Sequence, residues 1–146
     1  MTRVIFLVCL SPFPHCARPA VVPHPMPAGC SFTGVYDSPQ YGELHLVQTG
    51  ESVYGRYQRE GRWGQIDGEL DGHVLRFEWT ENDTAGRRLA SGRGHFQYLV
   101  DPANGDHVLK GGWGLDDDES GGEWNAYELT GREPHPEGIG VPRDSG

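Results

Sequence analysis

Beyond Cys30 this chain has no cysteine: Cys9, Cys16 and Cys30 all precede the first candidate strand. Residues 31–130 therefore hold no thiol nucleophile, no cysteine-based zinc site and no internal disulfide. Positive charge is also scarce. Within 31–130, seven arginines and Lys110 make eight basic residues against eighteen acidic ones, and the whole chain carries a formal charge of −9. Nucleic acid and anionic membrane surfaces need a basic footprint, so neither is expected as the main partner. The plainest meaning of the acidity is solubility.

Other absences narrow the choice further. No apolar stripe of 3.6-residue period is sustained, which argues against a helical protein. The apolar run VIFLVCL (4–10) is seven residues long, far too short to span a bilayer as a helix. The chain has no G-x-S-x-G, and His45, His73, His95 and His107 show neither H-x-H nor H-E-x-x-H spacing, so no nucleophile or metal site is marked. Asp116-Asp117-Asp118-Glu119 lacks the spaced ligands of a dedicated calcium loop and reads as a solvated turn. No cofactor and no catalytic residue is expected, and an enzyme, a small hydrolase or isomerase, is the least supported class.

What is abundant is glycine, 22 residues, with 11 prolines in 146. The stretch Gly64–Trp79, GQIDGELDGHVLRFEW, alternates apolar and polar residues around Asp71-Gly72, a dipeptide suited to a type I′ hairpin turn. With those two residues as the loop, Leu70 faces His73, Gly68 faces Leu75, Ile66 faces Phe77 and Gly64 faces Trp79. Residues two apart share a face, so Ile66, Gly68 and Leu70 lie with Leu75, Phe77 and Trp79, and Val74 is the one outward apolar exception. Similar alternation predicts strands at 31–36, 43–48, 53–58, 63–70, up to 80, 88–100, 107–113 and 122–129. Eight short strands joined by short turns pair consecutively, and closure into an up-and-down barrel removes open edges and covers the apolar face. The fold expected is all-β, an eight-stranded antiparallel barrel with disordered termini; a two-sheet sandwich is the alternative.

The ends are treated apart from the 31–130 barrel domain. Residues 1–30 have three readings: an export or lipoprotein signal, a mis-called start with translation from Met26, or a disordered linker. Ala28-Gly29-Cys30 resembles a bacterial lipobox, which implies lipidation of Cys30, a cell-envelope location and membrane attachment through that anchor alone. A start at Met26 implies a cytoplasmic protein. Residues 131–146 read as a polar, disordered tail.

A glycine and an aromatic recur two apart: Gly34-Val-Tyr36, Gly55-Arg-Tyr57, Gly61-Arg-Trp63, Gly111-Gly-Trp113 and Gly122-Glu-Trp124. With the strand count, this pattern makes residues 31–130 resemble calycin-like barrels, the group of lipocalins and avidins. The nearer likeness is to avidins. Gly55-Arg-Tyr57 is similar to their third-strand G-x-Y, and Trp79 and Trp113 end the strands where avidins keep ring-stacking tryptophans. The polar half departs from that pattern, with Asp37-Ser38-Pro39-Gln40 in the first loop and Arg59 where avidins place a small hydroxyl. The function expected is non-enzymatic binding of a small apolar or ring-bearing ligand, with Tyr57, Trp79 and Trp113 stacking on it and Tyr36 and Ser38 as polar contacts. The rival is a filled structural or protein-interaction barrel in which the aromatic side chains simply plug the core.

Overall fold

Period-two alternation makes eight strands in the computed structural model, which describes residues 21–118 and 120–140. They are β1 (Gly34–Ser38), β2 (Gly42–Thr49), β3 (Ser52–Arg59), β4 (Arg62–Asp71), β5 (Val74–Asp83), β6 (Arg88–Val100), β7 (His107–Leu115) and β8 (Gly122–Glu128). Each pairs antiparallel with the next, and β1 pairs with β8, so the sheet closes into a barrel and the sandwich is excluded. Alternate residues point inward. Leu44 and Leu46 of β2, Ile66 of β4, Leu75 and Phe77 of β5, Phe96 of β6 and Leu109 of β7 meet in one buried core. Each fully buried side chain of this kind contributes about 1.5–3 kcal/mol.

The central hairpin keeps the expected faces but not the expected partners. Asp71 pairs with Val74, so the loop is Gly72-His73, not Asp71-Gly72. Only its first residue has a positive φ, 57° at Gly72, the pattern of a type II′ turn rather than I′. Moving the loop by one residue shifts each cross-strand partner by two. Leu70 faces Leu75, Gly68 faces Phe77, Ile66 faces Trp79 and Gly64 faces Glu81. A shift of two preserves parity, so every inward residue stays inward.

The two ends of the barrel differ. The turns at 50–51, 72–73 and 101–106 surround one end, and the segment ahead of β1 covers it. Met26 and Cys30 pack on the core, and Phe32 is fully buried with its ring 5.4 Å from that of Tyr98. His24 is tied to the β4–β5 turn. Its N–H donates to Nδ1 of His73 at 2.9 Å, and the His73 N–H donates to the His24 carbonyl at 2.7 Å. Val74, the outward exception, is fully buried at that same end. The turns at 39–41, 60–61 and 84–87, with residues 116–118 and 120–121, surround the other end, which is the mouth described below.

The packed body runs wider than 31–130. Residues 21–30 form the cover just described; residues 1–20, with the signal-like run, lie outside the described residues. At the far end a 3-10 turn, Pro136–Gly138, lies against β2 and β3. Pro136 and Ile139 are buried, the Ile139 carbonyl accepts from Arg56, and the His135 N–H donates to Nδ1 of His45. A stretch read as a disordered polar tail thus gives His45, outward on the barrel yet buried, its cover. Residues 141–146 lie outside the described residues. Among the described residues no helix is long and apolar enough to cross a membrane.

Candidate functional site

The mouth is built from inward residues at the ends of β3, β4, β5 and β7, where strand parity continues past the core. On β5, Leu75, Phe77 and Trp79 lead to Glu81 on the same face; on β3, Tyr57 leads to Arg59. Tyr57, Gly64 and Glu81 form one row across three strands, since Tyr57 pairs with Gly64 and Gly64 with Glu81. The missing side chain at Gly64 decides this arrangement. A Cβ there would come closer than 3.0 Å to three Tyr57 ring and hydroxyl atoms, so the phenol lies across Gly64 and reaches the next strand. Its hydroxyl donates to Glu81 Oε2 at 2.7 Å.

Glu81 is 6% exposed although charged. Its second oxygen, Oε1, accepts from Arg59 Nη2 at 3.0 Å and Arg62 Nη1 at 3.1 Å. Burial works to raise its pKa, but hydrogen bonds from Tyr57, Arg59 and Arg62 outweigh it and hold the carboxyl below the usual range. Burial, with the Glu81 bond and charge added, keeps the Tyr57 hydroxyl protonated far above the ordinary tyrosine range.

Around this charged group stand Trp79, Trp113, Trp124 and Tyr41, and together they line a cavity of about 150 Å³. Trp79 and Trp113 meet edge to face, with centroids 5.6 Å apart. Their polar ends are spent within the protein. Trp79 Nε1 donates to the Gly114 and Arg93 carbonyls, and Trp113 Nε1 donates to the Tyr41 hydroxyl at 2.6 Å. Trp124 is the floor. Its ring lies 4.9 Å from Tyr57 on the cavity side and 5.8 and 5.2 Å from Phe77 and Phe96 on the core side. The barrel is therefore filled below Trp124 and open above it.

The expected site residues divide. Tyr57, Trp79 and Trp113 come together in the cavity wall. Tyr36 does not reach it: fully buried, it turns toward the covered end, where its hydroxyl donates to the Phe32 carbonyl at 2.9 Å. Ser38 is one step removed, its Oγ accepting from the Tyr41 N–H and donating to Gln40. Trp63 is outside the barrel beneath Gly140 and Arg56, and the Tyr98 hydroxyl lies 2.6 Å from His107 Nδ1 near the covered end. Cys30 is at that end too, partly buried, with its N–H donating to the Pro27 carbonyl.

Glu81, Arg62 and Tyr41 were not singled out from sequence. Glu81 had a usable signal: it continues the inward parity of Leu75, Phe77 and Trp79. Its charge and its place beside Asn82-Asp83 made it read as loop. A larger groove, about 750 Å³, crosses the outer face of β3–β5. It is open to solvent, and charged side chains such as Arg93, paired with Glu78 and Asp117, line it. No group of three or more metal-ligating side chains occurs among the described residues. Comparisons with protein families, with curated proteins and with solved structures find no match to this chain.

Proposed function

We propose that this protein is a non-enzymatic barrel that binds a small ring-bearing ligand at its open mouth. The observation that carries the reading is the aromatic cavity itself, open at one end of a barrel whose other end is covered and whose interior is filled. Its volume matters. A cavity of roughly 150 Å³ accepts about one benzene-sized ring, whereas sites for drug-sized ligands begin at about 300 Å³. The ligand inserts one ring and leaves the remainder outside. Tyr57, Trp79 and Trp113, the residues behind the avidin-like resemblance, offer faces and edges for stacking. Arg59 and the small volume argue against a bicyclic ligand of the biotin kind.

The rival reading, a purely structural barrel, draws support from the rings packed beneath Trp124. One experiment separates the two. A library of single-ring fragments is screened against the full chain by tryptophan fluorescence and melting temperature. A binder gives a saturable fluorescence change and a raised melting temperature, both removed by Trp113→Ala. If no fragment does either, the mouth is only the end of a filled barrel. Lipid attachment at Cys30 requires cleavage just ahead of it, which deletes the His24 and Met26 contacts that cover the barrel end. Those contacts favour a mature chain that keeps residues 21–29.

A further inference from the structure

Resting on that reading of the mouth, we propose that the ring it takes carries a carboxylate, so that the ligand class is aromatic or heteroaromatic acids. The cavity wall holds more unpaired donors than unpaired acceptors. Both oxygens of Glu81 are engaged, and the N–H groups of Trp79 and Trp113 are satisfied within the protein. Two donors in the wall are buried without partners: Trp124 Nε1–H and Arg59 Nε–H. Both are closed to water, so a ligand oxygen meets them only with a small shift of the Trp124 ring or of the Arg59 side chain. A buried donor left unpaired is costly, and an acceptor arriving beside it recovers that cost.

Charge selects among acceptors. Arg59 and Arg62 converge on a single carboxylate, and both on the same oxygen, which leaves the cavity wall one positive charge in excess, while Asp116, Asp117 and Asp118 stand in a turn around the mouth. A guanidinium presents five N–H donors in a planar fork that matches a carboxylate. Arg59 also lies over the Tyr41 ring at 5.3 Å, which holds its plane at the rim of the cavity. A ring seated between the tryptophans with its carboxylate toward Arg59 and Arg62 uses the surplus charge and the unpaired donors together. An ammonium on the same ring meets two guanidinium groups against one carboxylate that already accepts three hydrogen bonds.

The test uses the uniformly 15N-labelled full chain with benzoate, benzamide and benzylamine, which share one ring. Benzoate is expected to bind about tenfold or more tighter than benzylamine, the scale of a charged hydrogen bond, with benzamide between. The Trp124 indole N–H resonance is expected to move downfield with benzoate and not with benzylamine, whose identical ring exerts the same ring-current shift. Arg62→Gln, at a half-exposed rim position, is expected to weaken benzoate about tenfold and benzamide by no more than about twofold. Equal binding of the three probes, or preference for the amine, overturns the carboxylate assignment and leaves ring binding standing. Silence toward all three, with a library hit of another chemistry, also overturns it alone. Silence toward every fragment overturns both.

Discussion

Replacing Gly64 by alanine is the sharpest test of how the mouth is built. The added methyl falls within 3.0 Å of Cε1, Cζ and the hydroxyl of Tyr57, so the ring must move or the strands must separate. Neither is easy, because the ring packs 4.9 Å from Trp124 and its hydroxyl is anchored on Glu81. Overpacking of this kind costs about 1–3 kcal/mol, and a displaced phenol also forfeits a hydrogen bond to a charged group, about 1.5–3 kcal/mol. Partial relief of one by the other gives an expected loss of about 2–4 kcal/mol. Urea denaturation reads this as a midpoint lowered by about 1–2 M at unchanged slope, given slopes near 1–3 kcal/mol per molar for small domains. Gly138→Ala is the control, since nothing lies within 4 Å of its added Cβ; its effect is expected within about 0.5 kcal/mol. Adding Tyr57→Leu to Gly64→Ala removes the ring that clashes, so the pair is expected to depart from additivity by about 1 kcal/mol or more. Gly64→Ala with wild-type stability, or strict additivity with Tyr57→Leu, refutes the reasoning.

Four further outcomes follow from the same contacts. Glu81 titrates below its unfolded value, so its contribution is present above about pH 4.3 and is lost as pH falls through the lower folded value; Glu81→Gln is expected to destabilise at pH 7 and to approach wild type in acid denaturation profiles as pH falls below that folded value. Tyr36, Tyr57 and Tyr98 are held protonated chiefly by burial. Above about pH 10 the unfolded chain loses protons that these three keep, so stability falls as pH rises, and phenolate absorbance shows them ionising only on unfolding. Deleting residues 21–29 uncovers the core at Met26 and removes the His24–His73 bonds, which is expected to cost about 1–3 kcal/mol and to lower the melting temperature. Ile139→Ala, at a residue 4% exposed on the outer face, is expected to cost about 2 kcal/mol or more by denaturant titration; no change refutes the packing of residues 131–140 on β2 and β3.

The legibility of this chain followed the range of the interactions involved. Strand faces rest on a two-residue period that each segment carries alone, so Ile66, Leu75, Phe77 and Trp79 were assigned inward correctly even with the hairpin loop misplaced by one residue. Partners were not legible to the same degree. Asp71-Gly72 and Gly72-His73 both suit a tight turn, and the choice between them changes every facing pair without changing any face. The His24 contact on His73, 49 residues away, belongs to the second arrangement. The packing of Ile139 was invisible for a related reason: a Pro/Gly-rich tail with one isoleucine has no periodicity, and its burial depends on a hollow over β2 and β3.

The sequence by itself determined an acidic, all-β, eight-stranded protein with aromatic residues facing a barrel interior and glycines set among them. Barrel closure and cross-strand register decided which of those aromatics share a mouth. They separated Tyr36 from Tyr57, put Trp63 outside, and set Tyr57 across Gly64 against Glu81. A buried carboxylate contradicts local alternation until its partners are known, and those of Glu81 come from strands 19 to 24 residues earlier in the chain. Alternation is a local property of one strand, whereas a charge is stabilised by neighbours that only the closed sheet brings together.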